Sequence, residues 1–296
     1  MPDAVIGLLP GDGEVGAALV SHRAVAVIAF TGSLAVGLEV VRAAAEVSPG
    51  QRQLKRVVAE FGGKNCIIVE RDADLDDAVP AIIASAFSYA GQKCSAASRV
   101  LVAERIADRF LERLGGAASV LVVGQAKQFS TEVPPLIEEA ALERVTRYAM
   151  LCRKDGEIVA EIPPPASGGY FASPLVVTGL PADSAVLHEE IFGPILAVER
   201  FSVLEEAIAE IEALPYALTA GLFSRDPRII ARVTSALSVG NLYVNRAITG
   251  AMVGRQPFGG NRLSGNGTKA GGPDYLKHFT DPKVVSENTE RHGLVV

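Results

Sequence analysis

The sequence predicts an α/β protein built on a parallel sheet, and three observations carry that expectation. Short apolar strands alternate with helices over the first sixty residues, the order of a βαβ chain. Ala24–Phe30 is an unbroken apolar run, which marks a strand covered on both faces. Leu34–Val47 and Leu136–Asp155 place their apolar residues at helical spacing.

The elements follow in chain order. Gly11-Asp12-Gly13-Glu14-Val15-Gly16 has the spacing of a dinucleotide fingerprint, but only the short stretch Ala4–Leu9 precedes it in place of a complete strand, so the match is weak. The strand Ala24–Phe30 leads through Gly32 and Ser33 into the helix Leu34–Val47. Arg56–Ala59 is the next strand and ends at Glu60. A second α/β unit begins after Gly63, with a strand at Cys66–Val69, a helix capped by Asp74 and running to about Tyr89, a strand at Val100–Ala103 and a helix over Ile106–Leu114. Leu136–Asp155 is an amphipathic helix with Glu138, Glu139 and Glu143 early in it. Pro163–Pro165 and Ser167–Gly169 are turn material. Strands at Val198–Phe201 and Leu218–Phe223 flank a helix over Leu204–Ile211. Residues 250–272 are glycine-rich loops, and Lys283–Glu287 has the composition of a terminal strand.

Composition narrows the function. The chain of 296 residues is long enough for two domains, and 49% hydrophobic with 21% charged residues is a soluble globular balance. A net charge of −6 with scattered lysines and arginines argues against nucleic-acid binding. Cys66, Cys94 and Cys152 are odd in number and lack metal-ligand spacing, which suits unpaired thiols in a reducing compartment. His22, His188, His278 and His292 are too far apart to suggest a metal site. Met1-Pro2-Asp3-Ala4 shows no secretory signal, and the longest strongly apolar run is too short to span a bilayer, so the cytoplasm is expected.

Two residues carry the chemistry. Cys94 lies in Gly91-Gln92-Lys93-Cys94-Ser95, where small neighbours leave room at the sulfur and Lys93 offers a positive charge that would ease ionisation. Glu60 ends an apolar strand just before two glycines, where burial would raise its basicity enough to activate a water. A thiol and a carboxylate together describe covalent catalysis at an aldehyde or acyl carbon. Each has an ordinary alternative: Cys94 as a small buried hydrophobe and Glu60 as a solvated strand end. Ser33 at the start of its helix is either a plain cap or, with the first-turn amides, an anion site.

Beyond these, Gly91–Arg99 resembles the nucleophile segment of the aldehyde dehydrogenase superfamily. Phe30–Ser33, Glu60–Lys64, Glu189–Pro194 and Gln256–Gly260 resemble its other signatures, in the family's order. Gly240–Arg246, Leu263–Gly265 and Gly271–Pro273 are similar to the branch that oxidises glutamate γ-semialdehyde, the 1-pyrroline-5-carboxylate dehydrogenases. The resemblance covers essentially the whole chain but begins in the middle of the family pattern. It implies an aldehyde dehydrogenase-like fold: an incomplete Rossmann-type cofactor domain over residues 1–61, an α/β catalytic domain over 62–272, and a tail over 273–296 with an oligomerisation strand. It implies NAD, with NADP possible, held by Gly32, Ser33, Gly37, Glu190 and Phe192. It implies Cys94 as nucleophile and Glu60 as the base for thioester hydrolysis. Ser95, Gly250 and Ala251 would then anchor a substrate carboxylate, with Phe258 packed on the aliphatic chain.

In full-length relatives, the resemblance further implies, an N-terminal portion supplies the first strands of the cofactor domain. It also carries a lysine for the adenosine ribose, an asparagine of the oxyanion hole and an oligomerisation hairpin. None is identifiable in residues 1–296, and losing one oxyanion donor typically costs about a hundred- to a thousandfold in rate. Three functions are therefore weighed: NAD(P)-dependent aldehyde oxidation, a non-catalytic module that assembles as a homo-oligomer or with a full-length relative, and a cofactor-independent esterase using Cys94.

Overall fold

The computed structural model describes residues 5–166 and 168–289. Its elements in order are α1 (Gly13–Ser21), β1 (Val27–Thr31), α2 (Leu34–Ala45), β2 (Arg56–Glu60), β3 (Asn65–Val69), α3 (Leu75–Phe87), β4 (Ala97–Ala103), α4 (Glu104–Ser119), α5 (Glu139–Asp155) and β5 (Glu157–Glu161). Then come β6 (Leu175–Thr178), α6 (Ala185–His188), β7 (Ile195–Phe201), α7 (Leu204–Glu212), β8 (Tyr216–Ala217), β9 (Thr219–Phe223), α8 (Pro227–Ala236), β10 (Asn241–Val244) and β11 (Asn261–Arg262).

The main sheet has seven strands in the order β10-β9-β3-β4-β7-β6-β5, parallel except for the edge strand β5. Its centre is explained by the two-residue period of a strand. On β3, Ile67 and Val69 join the core beneath α3, α4 and α5, whereas Cys66 and Ile68 join a second core beneath α7 and α8. Val100 and Val102 on β4 divide from Leu101 and Ala103 in the same way. A strand buried on both faces is apolar wherever a side chain lacks a polar partner, which is why these segments read as largely continuous runs, with buried Arg99 on β4 paired to Glu199. Burying each such side chain contributes about 1.5–3 kcal/mol. Asp74 caps α3 by accepting from the Asp76 amide at 2.9 Å, and the acidic residues that follow favour a helix start.

A separate two-stranded parallel sheet joins β1 to β2, with Thr31 opposite Glu60. Ile28, Val40 and Ala44 form the small core between this sheet and α2. β8 and β11 pair antiparallel.

Four expectations are corrected. Lys283–Glu287 forms no strand: it finds no neighbour to pair with among the described residues, and Val284 and Val285 are 90% and 76% exposed. The first strand begins at Val27 rather than Ala24, and its helix stops at Ala45. α3 ends at Phe87 because Tyr89, Ala90 and Gly91 all adopt positive φ. The helix after β4 extends well past Leu114, to Ser119. His292 and Ser167 lie outside the described residues.

Candidate active site

The left-handed run Tyr89 (φ 62°), Ala90 (φ 55°) and Gly91 (φ 68°) reverses the chain between α3 and β4 and sets Cys94 on the turn before β4. Gly91 is required there twice over: a side chain would be strained at that φ and would overlap the Gly193 carbonyl. The turn is fixed by Asn65, buried at the start of β3. Its amide donates to the carbonyls of Cys94 (2.7 Å) and Ala96 (2.8 Å), and its oxygen accepts from the Thr219 amide at 3.1 Å. Sequence reasoning missed Asn65. Its signal is a polar residue opening a fully buried strand, where every hydrogen-bonding atom must find a partner.

The thiol itself departs from expectation. Burial raises the Cys94 pKa, and the Glu190 and Glu60 carboxylates raise it further, against a hydrogen bond from the Ser95 amide that lowers it. The Lys93 ammonium lies over the Tyr89 ring, 5.7 Å from the centroid, and is not among the groups that act most on the thiol. A thiol held mostly protonated needs a nearby base.

Glu60 provides one. It closes β2, and the segment 260–266 folds back over it. The Phe61 amide donates to the Ser264 carbonyl at 2.9 Å, and the Asn266 amide to the Ala59 carbonyl at 2.9 Å. The Asn266 side chain accepts from the Ala59 amide at 2.7 Å. The Gly260 amide then donates to Glu60 Oε2 at 2.8 Å. Burial pushes the carboxyl from 4.5 up to about 7, against the lowering effects of the Gly260 amide and Lys269. Such a group is half ionised near neutrality, as a general base should be.

Glu190 closes the third side. The Gly63 amide donates to its Oε1 at 3.2 Å, and burial raises its pKa against that amide, Lys64 and Arg144. The loop bearing it is clamped to α5: Arg144 Nε donates to the Ile191 carbonyl at 2.9 Å, and the Tyr148 hydroxyl donates to the Glu189 carboxylate. Phe192 leaves this clamp at φ 56°, 37% exposed. Arg144 and Tyr148 are one helical turn apart, a spacing visible in the sequence only once their target is known.

At the smaller sheet, Ser33 caps α2, its hydroxyl oxygen accepting from the Val36 amide at 3.4 Å. The Gly32 amide donates to the Glu60 carbonyl at 3.1 Å and so joins this helix start to the end of β2. Gly37 is a packing residue, since a Cβ would overlap the Phe61 ring. Between α1 and α2 lies a mostly apolar cleft of about 390 Å³, lined by Gly13, Gly16, Val20, Phe30, Val36 and Ala43. Two glycines of the discounted fingerprint therefore line a cavity, as part of a helix that Asp12 caps.

Of the substrate-side residues, Ser95 is buried beside the nucleophile. Phe258 exchanges both backbone hydrogen bonds with Ala270 (2.9 and 2.7 Å) and lies two residues from the Gly260 amide that holds Glu60. Gly250 (φ 83°) and Ala251 are exposed, and among the described residues their amides donate to no acceptor. Their loop is tied to α3 through the Ile248 amide, which donates to Ser85 Oγ at 3.1 Å, and no hydrogen bond joins it to Cys94. The structure thus gathers Cys94, Ser95, Glu60 and Glu190, and leaves Gly250 and Ala251 as a free pair of amides on a neighbouring loop.

A sheet wound with helices on both faces, carrying a thiol that feels two buried carboxyl groups, Glu60 and Glu190, has the groups that covalent catalysis at a thiol uses. The chain belongs to the aldehyde dehydrogenase family, whose sequence profile matches residues 1–285. It is similar to the 1-pyrroline-5-carboxylate dehydrogenase of Bacillus subtilis (strain 168), 40% identical over 288 residues, which are 97% of this chain and 56% of the relative. Among solved structures it resembles a 1-pyrroline-5-carboxylate dehydrogenase from Thermus with bound NAD, at 41% identity and TM-score 0.91, covering 94% of this chain and 54% of that one. Proline utilization A from Bdellovibrio bacteriovorus, inactivated by N-propargylglycine, matches at 47% identity and TM-score 0.93, covering 96% of this chain and 30% of that one. The chain spans about half the length of the curated relatives it matches.

Proposed function

We propose that this chain oxidises an aldehyde to a carboxylic acid through a thioester on Cys94, with glutamate γ-semialdehyde as substrate and glutamate as product, a step of proline breakdown. One observation carries the chemistry: a protonated thiol shares its surroundings with a carboxyl poised at about 7. Glu60 in its ionised form takes the thiol proton and releases it to solvent, and the sulfur attacks the aldehyde carbon to give a thiohemiacetal oxyanion. Bound NAD supplies the hydride acceptor. Loss of hydride from the substrate carbon leaves the thioester, and Glu60 then removes a proton from the water that attacks it. The acid departs and the thiol is restored. Glutamate γ-semialdehyde is supported by the names of the relatives, and by the free Gly250 and Ala251 amides, which can receive its carboxylate alongside Ser95 while Phe258 packs against its chain.

The residues present fit a dinucleotide. The first turn of α2 has amides aimed beyond Ser33, which suits a pyrophosphate, and the cleft between α1 and α2 suits a flat apolar ring. Glu190 and Phe192 would meet the nicotinamide end. NAD is preferred to NADP because the Thermus relative is described with bound NAD. On this reading residues 1–61 serve the cofactor and 62–272 the thiol chemistry, in keeping with two sheets that share no strand. Assembly is the finer part of the proposal. β1 pairs only with β2 among the described residues, so its outer edge is open to a further polypeptide, either another copy or a longer relative. No helix among the described residues is long and apolar enough to cross a membrane; three free cysteines fit a cytoplasmic setting.

The test is NADH formation, followed by absorbance, on purified chain with glutamate γ-semialdehyde, together with its size in solution. A rate lost on Cys94→Ala supports the proposal. A folded, dinucleotide-binding sample with no rate leaves the assembly role in its place.

A further inference from the structure

Glu60 is not alone on its outer side. Lys269 stands behind it, across Gly259. A Cβ built on Gly259 would lie 2.6 Å from Glu60 Oε1 and 3.2 Å from Lys269 Cδ, so the carboxyl group and the lysine stem flank the same glycine. The lysine ammonium is held where it is: Nζ donates to Asn261 Oδ1 at 2.9 Å and to the Gly260 carbonyl at 3.3 Å. Gly260 is the residue whose amide donates to Glu60. The segment that presents Lys269 is itself anchored, since the Thr268 amide donates to His278 Nε2 at 3.1 Å and the Ala270 amide to the Phe258 carbonyl at 2.7 Å. On its far side Lys269 lines a surface cleft of about 440 Å³ with Pro257, Asn261, Gly267, Thr268 and Asp274.

We propose that Lys269 is a positioning residue for Glu60, holding the Gly260 amide against the carboxylate and supplying a positive charge at the boundary between the buried base and solvent. The proposal rests on Glu60 as the general base and extends that reading to its support. The groups that act on Glu60 are few: the Gly260 amide and the Lys269 ammonium favour its ionised form, and the Cys94 thiol shares its field from the inner side. Glu60 in turn raises the proton affinity of Lys269, against the burial that lowers it. Without the lysine, burial acts unopposed except by one amide. The base then ionises at higher pH, and less of it is ready at neutrality.

The experiment titrates Glu60 directly, by carbon-13 NMR of the full chain labelled at glutamate carboxyls, with the Glu60 signal assigned by its loss in Glu60→Gln. Lys269→Met should move the midpoint upward and lower the ionised fraction at neutral pH roughly threefold. Lys269→Arg, which keeps charge and donors, should stay close to the original midpoint. Lys269→Gln keeps a donor without the charge and replaces the methionine variant should that one unfold. An unchanged midpoint in the uncharged variant, or an arginine variant displaced as far as methionine, overturns the proposal. The readout needs no turnover, so it decides the role of Lys269 even in an inactive chain. A Glu60 midpoint near the ordinary 4.5 in the unmodified protein would instead remove the general-base reading.

Discussion

Replacing Glu60 by glutamine should stabilise the protein while disabling its chemistry, and the size of the gain depends on pH in a defined way. Burial raises this carboxyl from 4.5 to about 7, so the fold prefers the neutral acid. Between those values the folded state holds a proton that the unfolded chain has released, and stability therefore falls as pH rises through the window. At about 1.36 kcal/mol per pH unit the full cost above pH 7 is about 3 kcal/mol. Glu60 is only partly buried, and screening by water reduces this to about 1–2 kcal/mol. Glutamine keeps an acceptor for the Gly260 amide and carries no charge. Urea unfolding of both proteins should thus show Glu60→Gln ahead by about 1–2 kcal/mol well above pH 7, with the lead shrinking toward zero as pH falls to the ordinary carboxyl range. A difference independent of pH, or one that grows in acid, refutes the claim that the fold holds this carboxyl as a strained base.

Iodoacetamide labelling of Cys94 should still be accelerating at pH values above the ordinary cysteine pKa, because burial and two carboxylates hold the thiol protonated; a plateau near neutrality contradicts this. Arg144→Met leaves the Ile191 carbonyl without its donor and should cost about 1–3 kcal/mol in urea unfolding. It should also weaken NADH binding, measured by nicotinamide fluorescence, whereas unaltered affinity would show that the Glu190 loop does not depend on α5. Gly37→Ala drives a methyl into the Phe61 ring and should destabilise the chain by about 1–3 kcal/mol. Thermal unfolding checks it, and a neutral outcome would mean that the Phe61 ring moves aside freely.

The parts of the fold visible in the sequence are those where burial dictates composition. Cys66–Val69 of β3 and Val100–Ala103 of β4 are apolar runs because both faces are covered, and α5 announces itself by spacing. The edge strand β5, its neighbour β6 and the amphipathic α8 went unread, the first two because such short segments carry little pattern. Lys283–Glu287 misled for a related reason: strand propensity is realised only against a partner, and the described chain offers none. At the site, Cys94 and Glu60 stood out as residue types among small neighbours, and Glu190 only through the family resemblance. Their electrostatics were not legible. Adjacency in sequence suggested that Lys93 would assist the thiol, yet successive side chains diverge, and the lysine that matters to the base, Lys269, comes from the far end of the chain. Asn65, Arg144 and Tyr148 act through contacts 29 to 154 residues away in sequence, which no local pattern encodes.

The central claim is a thioester on Cys94 that Glu60 resolves. It is tested most directly by intact-protein mass spectrometry of Glu60→Gln mixed with NAD and glutamate γ-semialdehyde, at a pH alkaline enough to ionise Cys94 without a base. The account predicts an acyl adduct that maps to Cys94, persists in this variant, and is short-lived in the unmodified chain. A folded, dinucleotide-binding Glu60→Gln protein that stays unmodified at Cys94 would contradict it.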